Sequence, residues 1–523
     1  MLARAVRLTL GPRGLNVMIG QSSGAPLVTR DGVTVAKAMT LSDPFQRIGA
    51  QMLRDVATQT SNLAGDGTTT AILLAQVVAH EGLRAASAGL DPMDLKRGID
   101  RATATATETL RRISLRCKDT KMIAQVGTSA ANSDESVGRI LARAMEAVGK
   151  DGVITVEESD SVDDSLELVE GMQFDFGYVS PWFVGDHETM SITLEEPYIL
   201  LCNQKIQFVH ELLPLLEMIG RSGKPLLVVA AHVLGEALAL LVINRLRGSV
   251  KTAAVKAPGF GDRRKARLDE IAALTGGTVL CDEMGMTLEK TTLEYLGTAR
   301  RVHVSKDTTT ILDGGGDGSA IASRVAEIRG QIDVTTSDYE REQLEDSIGR
   351  LTGGIAIIKV GAASEVAMQE RRLRVEDALH ATRAAVAEGI VPGGGVALIR
   401  VCKAVEATPA DNRNQATGIR ILLRALEEPL RQIVKNGGMD PSVVLAAIRA
   451  ETGNFGFNAA TEEYGDMVNM GVVDPVKVTR LALQNAASIA GLFLTTEVAV
   501  ASLPPDARRG RGMKHTNQAR RSD

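Results

Sequence analysis

The chain has 523 residues, of which 44% are hydrophobic and 24% are charged, and its net charge is −5. This balance is typical of a globular protein and argues against a nucleic-acid-binding protein, which usually carries a basic excess. The four cysteines, Cys117, Cys202, Cys281 and Cys402, are far apart, which excludes the common zinc motifs and a disulfide framework. With no apolar run long enough to span a membrane, we expect a cytoplasmic protein that binds neither membrane nor nucleic acid.

In chain order, residues 40–110 show apolar positions at helical spacing and predict helices. Residues 150–355 instead alternate helical segments with short β-rich runs. These runs are 152–156, 225–231, 252–255, 277–280 and 300–304. A further strand is predicted at 355–360, and helices then return through residue 500. The pattern predicts a multidomain α and α/β protein in which an α/β unit interrupts a helical one. The basic tail is expected to be disordered.

The most informative motif is Gly-Asp-Gly-Thr-Thr-Thr at residues 65–70, which runs directly into a buried-type apolar helix. Two glycines allow close backbone approach to a phosphate, and a helix start offers free N–H groups. The carboxylate of Asp66 suits Mg²⁺. The motif therefore indicates a nucleoside triphosphate site of a kind other than the Walker A loop, since no Gly-Lys-Ser/Thr occurs. A glycine-rich helix N-terminus without a ligand is the alternative.

Further candidate segments are distant in sequence. Asp377 lies on a predicted helix that is followed by three consecutive glycines at 393–395. Such a glycine loop indicates a close neighbour, such as a sugar or a base, although a flexible corner explains it equally. The other candidates are Thr-Leu-Gly-Pro-Arg-Gly at 9–14, Arg-Asp-Gly at 30–32, and Asn-Ala-Ala at 458–460 with Asp474 beyond.

Three long segments, 65–70, 256–264 (Lys-Ala-Pro-Gly-Phe-Gly-Asp-Arg-Arg) and 384–395, closely resemble the group I chaperonins, the GroEL-type 60-kDa family. The resemblance runs nearly without gaps from residue 3 to residue 504 and implies a GroEL-like chaperonin fold. It implies a helical equatorial ATP-binding domain (1–112 and 388–503) and a small α/β intermediate hinge domain (113–169 and 356–387). An α/β apical substrate-binding domain (170–355) and a basic tail (504–523) complete the expected layout.

The resemblance also implies that ATP, Mg²⁺ and K⁺ bind. Asp66 is expected to hold the metal, and Asp377, assisted by Asp31, to position the water that attacks the phosphate. The residues expected to contact the nucleotide are Thr9, Leu10, Gly11, Pro12, Arg30, Asp66, Gly67, Thr68, Thr69, Thr70, Gly394, Asn458, Ala459, Ala460 and Asp474. Arg30 stands where the family usually has lysine, and the two side chains differ in shape.

For the apical domain, the resemblance implies an apolar groove that binds non-native polypeptides. The expected groove residues are Tyr178, Trp182, Phe183, Leu213, Leu216, Leu238, Val242 and Ile243. Spacings of three and four residues predict that Leu213 shares a helix face with Leu216, and Leu238 with Val242. A core role is the alternative for all eight.

The implied function is an ATP-hydrolysing protein-folding chaperonin. It forms homo-oligomeric, stacked seven-membered rings, works with a GroES-type co-chaperonin lid, and releases clients into the ring cavity. The alternatives are a chaperonin paralogue that acts as an assembly or binding module with weakened ring allostery, and a monomeric kinase. Departures from the family are explained by a paralogue or by a misannotated start: relative to the family the sequence begins about twenty residues late, and its tail is basic. In addition, Phe176 replaces a basic residue that pairs, across subunits, with the position of Glu365.

Overall fold

The computed structural model describes residues 1–20, 26–117, 119–131, 133–149, 152–159, 161–185, 190–281, 287–335 and 337–501. The predicted basic tail lies outside the described residues. The chain forms two compact units. Unit 1 comprises Met1–Arg143, Glu158–Asp163 and the chain from Val360 onward, and unit 2 comprises Ala144–Glu157 and Asp164–Lys359. Unit 2 is thus an insertion in the sequence of unit 1, and the predicted three-domain layout stays a prediction.

The first part of the chain is mainly helical. Its elements are α1 (Leu2–Val6), β1 (Val17–Ile19), β2 (Leu27–Thr29), α2 (Gly32–Ala38), α3 (Pro44–Ala64), α4 (Thr68–Ser87), α5 (Pro92–Arg112), α6 (Thr120–Ala130) and α7 (Glu135–Val148). The long helices start where the sequence supplies caps. Asp43 and Asp91 accept hydrogen bonds from the first turns of α3 and α5, and a proline follows each of them.

The middle part of the chain alternates strands and helices. Its elements are β3 (Val153–Glu158), β4 (Ser165–Val169), β5 (Gly171–Phe174), β6 (Ile192–Glu195), β7 (Tyr198–Ile206), α8 (Val209–Ser222), β8 (Leu226–Val233), α9 (Gly235–Arg247), β9 (Thr252–Lys256), α10 (Asp262–Thr275), β10 (Val279–Leu280), β11 (Gly297–Val304), β12 (Thr309–Gly314), α11 (Gly318–Val334), α12 (Asp338–Thr352) and β13 (Ile355–Val360).

The sheet of unit 2 has the strand order β5-β12-β11-β7-β8-β9, with β6 beside β11 and β10 beside β7. Strands β7, β8 and β9 are parallel. Their apolar runs are buried. This is expected of parallel strands, because the crossover helices that connect them cover the faces of the sheet. A smaller sheet has the order β3-β13-β4.

The last part of the chain returns to unit 1. Its elements are α13 (Glu365–Glu388), β14 (Ile390–Pro392), α14 (Val396–Glu406), α15 (Arg413–Leu426), α16 (Glu428–Asn436), α17 (Pro441–Ala450), β15 (Phe455–Asn458), β16 (Glu463–Asp466), β17 (Val473–Pro475) and α18 (Val476–Leu494). Helices α4, α5, α14, α15 and α18 share one aliphatic core. Helices α5 and α15 approach closely at Gly98 and Gly418, where an added Cβ would lie 2.1 Å and 2.2 Å from a carbonyl oxygen of the other helix.

These elements confirm the predicted fold class, a mixture of helical and α/β parts. The strands expected at 152–156, 225–231, 252–255, 277–280, 300–304 and 355–360 correspond to β3, β8, β9, β10, β11 and β13. None of the helices in the described ranges has the length and apolarity needed to cross a membrane.

Candidate functional site

The 65–70 motif forms a tight link between two long helices of unit 1. Gly65 ends α3 with φ of 73° and Gly67 precedes α4 with φ of 79°, both in the left-handed region that favours glycine. Gly67 has no side chain to cap the 20-residue helix α4, so the first N–H groups of α4 are available to an anion. The carboxylate of Asp66 accepts a hydrogen bond from the N–H of the next residue, Gly67.

Carboxylates from four distant segments gather at this link. Burial raises the pKa of Asp66, and the carboxylate of Asp31 raises it further. Burial holds the pKa of Asp377 well above its usual value, and Asp66 and Asp31 add to this. For Asp474, burial followed by the charge of Asp66 raises the pKa to about 7. Each of these half-buried acids therefore lies near enough to another carboxylate to be affected by its charge.

Asp31 is held in place by the start of α2. Its carboxylate accepts hydrogen bonds from the N–H groups of Val33 and Thr34, at 3.1 Å and 2.7 Å, and from the hydroxyl of Thr34. The hydroxyl of Thr68 also donates to it at 3.4 Å. Asp31 is thus a helix N-cap that also reaches the first residue of α4.

The hydroxyls of the motif lie beside this cap. A Cβ at Gly32 would lie 2.6 Å from the hydroxyl oxygen of Thr69 and 2.9 Å from that of Thr68, so only glycine allows α2 to approach α4 this closely. The hydroxyl of Thr9 donates to the carbonyl of Val6 and lies 3.4 Å from the hydroxyl of Thr69. The 9–14 segment therefore lies against the same helix start as the 65–70 motif.

A cavity of about 520 Å³ opens beside the link, within unit 1. Its volume is within the usual range for small-molecule sites. Most of the residues predicted to contact nucleotide line it, namely Leu10, Gly11, Pro12, Asp66, Gly67, Thr70, Gly394, Asn458, Ala459, Ala460 and Asp474. Strand pairing explains part of this convergence, because β14, which leads into the glycine loop, pairs with β17 with Val391 opposite Asp474.

The remaining predicted nucleotide-site residues lie outside the cavity lining. Thr9, Thr68, Thr69 and Asp31 form the hydroxyl and carboxylate group beside the helix start, and Asp377 lies near Asp66. The guanidinium of Arg30 points to another partner, since it donates to the side-chain oxygen of Asn16 at 2.7 Å.

The donor set suits Mg²⁺ bound together with a phosphate group. The described residues hold no group of three or more His, Cys, Asp or Glu side chains placed to bind a metal by themselves. Mg²⁺ usually takes one or two carboxylates and completes its shell with water and substrate phosphates. Asp66, half-buried beside other acids and next to a helix N-terminus, fits that role, because a cation would offset the crowding of negative charge.

Some cavity residues had no sequence signal. Ile433 and Pro429 come from the α16 region, and Thr128 and Ser129 come from α6. Asn436, at the end of α16, donates to the carbonyls of Arg7 and Leu10 at 3.0 Å and 2.9 Å, and so anchors the 9–14 segment. None of these residues belongs to a glycine-rich or acidic motif, so only the folded chain identifies them.

The predicted client-binding residues of unit 2 divide into three groups. Trp182, Leu213 and Ile243 are exposed, at 66%, 44% and 45%. Tyr178, Leu238 and Val242 are half-buried against the core. Phe183 and Leu216 are buried, at 0% and 6% exposure.

Leu213 is therefore exposed while Leu216 is buried, so Leu216 has the core role that the sequence left open. Three residues along a helix correspond to a 60° offset, and with this offset Leu216 joins the buried apolar cluster of unit 2 while Leu213 stays exposed. The structure adds other exposed apolar side chains on and beside the neighbouring helices α8 and α9. We call this set the α8–α9 surface: Trp182, Phe208, Leu213, Leu234, Ile243 and Leu246.

A family model described as the TCP-1/cpn60 chaperonin family matches residues 2–502. The match includes both units and every residue of the acid cluster and the cavity. Members of this family are in general ATPases that bind ATP with Mg²⁺ and act as oligomeric rings on client polypeptides. With nearly all of its 523 residues matched, the chain belongs to the TCP-1/cpn60 chaperonin family.

Proposed function

We propose that this chain is an ATP-dependent protein-folding chaperonin of the group I type. In this proposal unit 1 binds and hydrolyses Mg-ATP, and the α8–α9 surface of unit 2 binds non-native polypeptides. Nucleotide binding and hydrolysis release the client into the cavity of a homo-oligomeric ring, with stacked seven-membered rings and a GroES-type lid as the expected assembly. The observation that carries the proposal is the convergence of Asp31, Asp66 and Asp377 at the start of α4.

The expected roles follow from the geometry of the link. The uncapped N–H groups of α4 and the hydroxyls of Thr68, Thr69 and Thr70 would hold the phosphates. Asp66 would hold Mg²⁺, which neutralises charge on the phosphate oxygens. Asp377 would orient the attacking water, with Asp31 holding the first turn of α2 against the site. Phosphoryl transfer depends chiefly on such positioning and charge neutralisation.

The base and ribose would occupy the part of the cavity formed by Gly394, Asn458, Ala459, Ala460 and Asp474. Gly394 has φ of 65°, which favours glycine and leaves the backbone open to a close neighbour. The proposed K⁺ would bind near the phosphates as an additional counter-ion. Arg30 keeps the positive charge found in the family, and its guanidinium donates to the side-chain oxygen of Asn16.

Client binding by the α8–α9 surface would be loose and non-specific. The six side chains are apolar, exposed and carried by neighbouring elements of one unit. Exposed apolar patches of this kind mark interaction sites. Burying one such side chain contributes about 1.5–3 kcal/mol, so contact with two or three of them is enough for reversible capture.

Replacing Asp377 by alanine tests the hydrolytic role. We expect single-turnover hydrolysis to slow by about 10²- to 10⁴-fold, because a positioning group is lost, while ATP binding measured by titration calorimetry is retained. Asp100→Ala is the matched control, since Asp100 lies on α5 of the same unit and pairs at the surface with Lys96. Loss of ATP binding in D377A, or hydrolysis at the wild-type rate, would contradict the assignment.

The second candidate is a chaperonin paralogue that serves as an assembly or binding module with weakened ring allostery. One contact favours it: the ammonium of Lys256 lies 5.4 Å from the ring centre of Phe176 and 4.8 Å from that of Phe260. Phe176 thus pairs with a cation of its own unit. If this substitution weakens allostery, Phe176→Arg should raise the Hill coefficient of ATP hydrolysis, and an unchanged coefficient would count against the paralogue reading.

A further inference from the structure

Arg400, on α14, donates four short hydrogen bonds to backbone carbonyls of one neighbouring segment. Its Nε donates to Gly453 at 2.8 Å, one terminal nitrogen donates to Ile448 and Glu451 at 2.8 Å and 2.7 Å, and the other donates to Phe455 at 2.6 Å. The accepting carbonyls belong to the end of α17, the turn that follows it and the first residue of β15. A single side chain therefore fixes the path of the chain between α17 and β15.

Only arginine can make this set of contacts. Its planar guanidinium presents five N–H donors in a fixed fork, whereas lysine presents three donors from one point. The last carbonyls of a helix also carry partial negative charge, which favours a cation at that position. A lysine at position 400 would leave carbonyls of the turn without their present donor.

The two segments that Arg400 joins, α14 and the chain around β15, each lead into the lining of the cavity. Helix α14 starts directly after the glycine loop, so Arg400 is about one turn past the start of α14 and about one and a half turns from Gly394 and Gly395. Strand β15 ends at Asn458, and Ala459 and Ala460 follow it into the cavity lining.

A second contact joins the same two segments. A Cβ added at Gly456 of β15 would lie 2.6 Å from the side chain of Val396 on α14. Val396, Phe457 and Ala459 also share one buried apolar cluster.

We propose that Arg400 is a positioning residue that holds the glycine loop and the Asn458–Ala460 segment in register, and so sets the affinity of the site for the base and ribose of the nucleotide. The proposal rests on the proposed nucleotide function of the cavity. The groups that would contact phosphate and metal, Asp66 and the first turn of α4, are not among the partners of Arg400. Its loss should therefore weaken nucleotide binding and leave the hydrolytic step intact.

The test compares R400K in the full chain with the wild type and with R420K. Arg420 is a matched control because it lies on α15 of the same unit and its terminal nitrogen donates to the hydroxyl of Thr417 at 3.0 Å. Steady-state hydrolysis is measured against ATP concentration, with inorganic tripolyphosphate as a competitor that has phosphates but no base or ribose. For R400K we expect the KM for ATP to rise by about tenfold, with kcat within about twofold of wild type. The inhibition constant of tripolyphosphate should not change.

A second variant guards against poor folding of R400K. Val396→Ala weakens the other contact between the same two segments and should raise the KM for ATP by a smaller factor, again without an effect on tripolyphosphate. Unfolded chains lower kcat and leave KM unchanged, so a purely structural role for Arg400 predicts the opposite split.

Three outcomes separate the two proposals. An unchanged KM in both variants would overturn the inference, and so would an equal loss of ATP and tripolyphosphate affinity. A wild-type chain that binds no ATP would overturn the proposed function as well.

Discussion

The two units differ in what they leave without a partner. In unit 1, carboxylates from four distant segments lie half-buried near an uncapped helix start, and desolvation together with neighbouring carboxylates raises the pKa values of Asp377 and Asp474. In unit 2, apolar side chains of α8 and α9 remain outside a well-packed core. Burying charge and exposing apolar surface both cost stability. The difference indicates that unit 1 is built to bind a cation with an anionic ligand, and unit 2 to bind apolar chains.

Two leucines of α8 test this comparison with the largest expected change in stability. Leu216→Ala removes a buried side chain and should lower the free energy of unfolding by about 2–5 kcal/mol. Leu213→Ala changes an exposed side chain and should alter it by less than about 0.5 kcal/mol. Urea unfolding checks both values.

Capture of a urea-denatured, fluorescently labelled polypeptide should show the reverse order. We expect L213A to capture less than the wild type, and L216A to capture normally under conditions in which it is folded. If L213A captured the client as well as the wild type, Leu213 would not belong to a client-binding surface.

Two helix-ending glycines compare the units directly, with a smaller expected effect. Gly65 ends α3 with φ of 73° and Gly223 ends α8 with φ of 71°, so alanine at either position carries a left-handed strain of roughly 1–2 kcal/mol. A Cβ at Gly65 would also lie 2.1 Å from the Cβ of His380 on α13, whereas at Gly223 it would meet no heavy atom of the described chain within 4 Å.

Overpacking usually costs about 1–3 kcal/mol. We therefore expect Gly65→Ala to lower the free energy of unfolding by about that much more than Gly223→Ala does. Because His380 is one turn from Asp377 on α13, Gly65→Ala should also slow hydrolysis, and Gly223→Ala should not. Thermal unfolding together with single-turnover hydrolysis checks both expectations. Equal destabilisation by the two changes would show that α13 does not pack closely against the 65–70 motif.

Sequence reasoning predicted the polar site better than the apolar surface, for a physical reason. The 65–70 motif predicted a glycine-flanked helix start, the resemblance implied that Asp66 and Asp377 lie together, and the structure brings both close to the start of α4. Helical spacing, by contrast, gives a direction only to within a broad sector, so it could not tell whether Leu216, three residues from the exposed Leu213, faces solvent or the core. Phe183, which the resemblance assigned to the groove, is also buried.

Other contacts depend on the folded chain alone. Arg400 and Asn436 act through backbone carbonyls, which any sequence supplies, so their roles become visible only when α17, β15 and the 9–14 segment come together. Some strands of the α/β unit, such as β8, were predicted from continuous apolar runs. Strand β11 has mixed burial and was predicted, whereas β7 and β12, which are mostly buried, were missed together with β4 and β6.

The most direct test of the central claim is Mn²⁺ binding measured by electron paramagnetic resonance, with and without ATP, in the wild type, D66A and D377A. We expect the wild type and D377A to bind Mn²⁺ tightly only with ATP present, because Asp66 and the phosphates share the metal. D66A should lose this binding. Undiminished nucleotide-dependent Mn²⁺ binding by D66A would contradict the account.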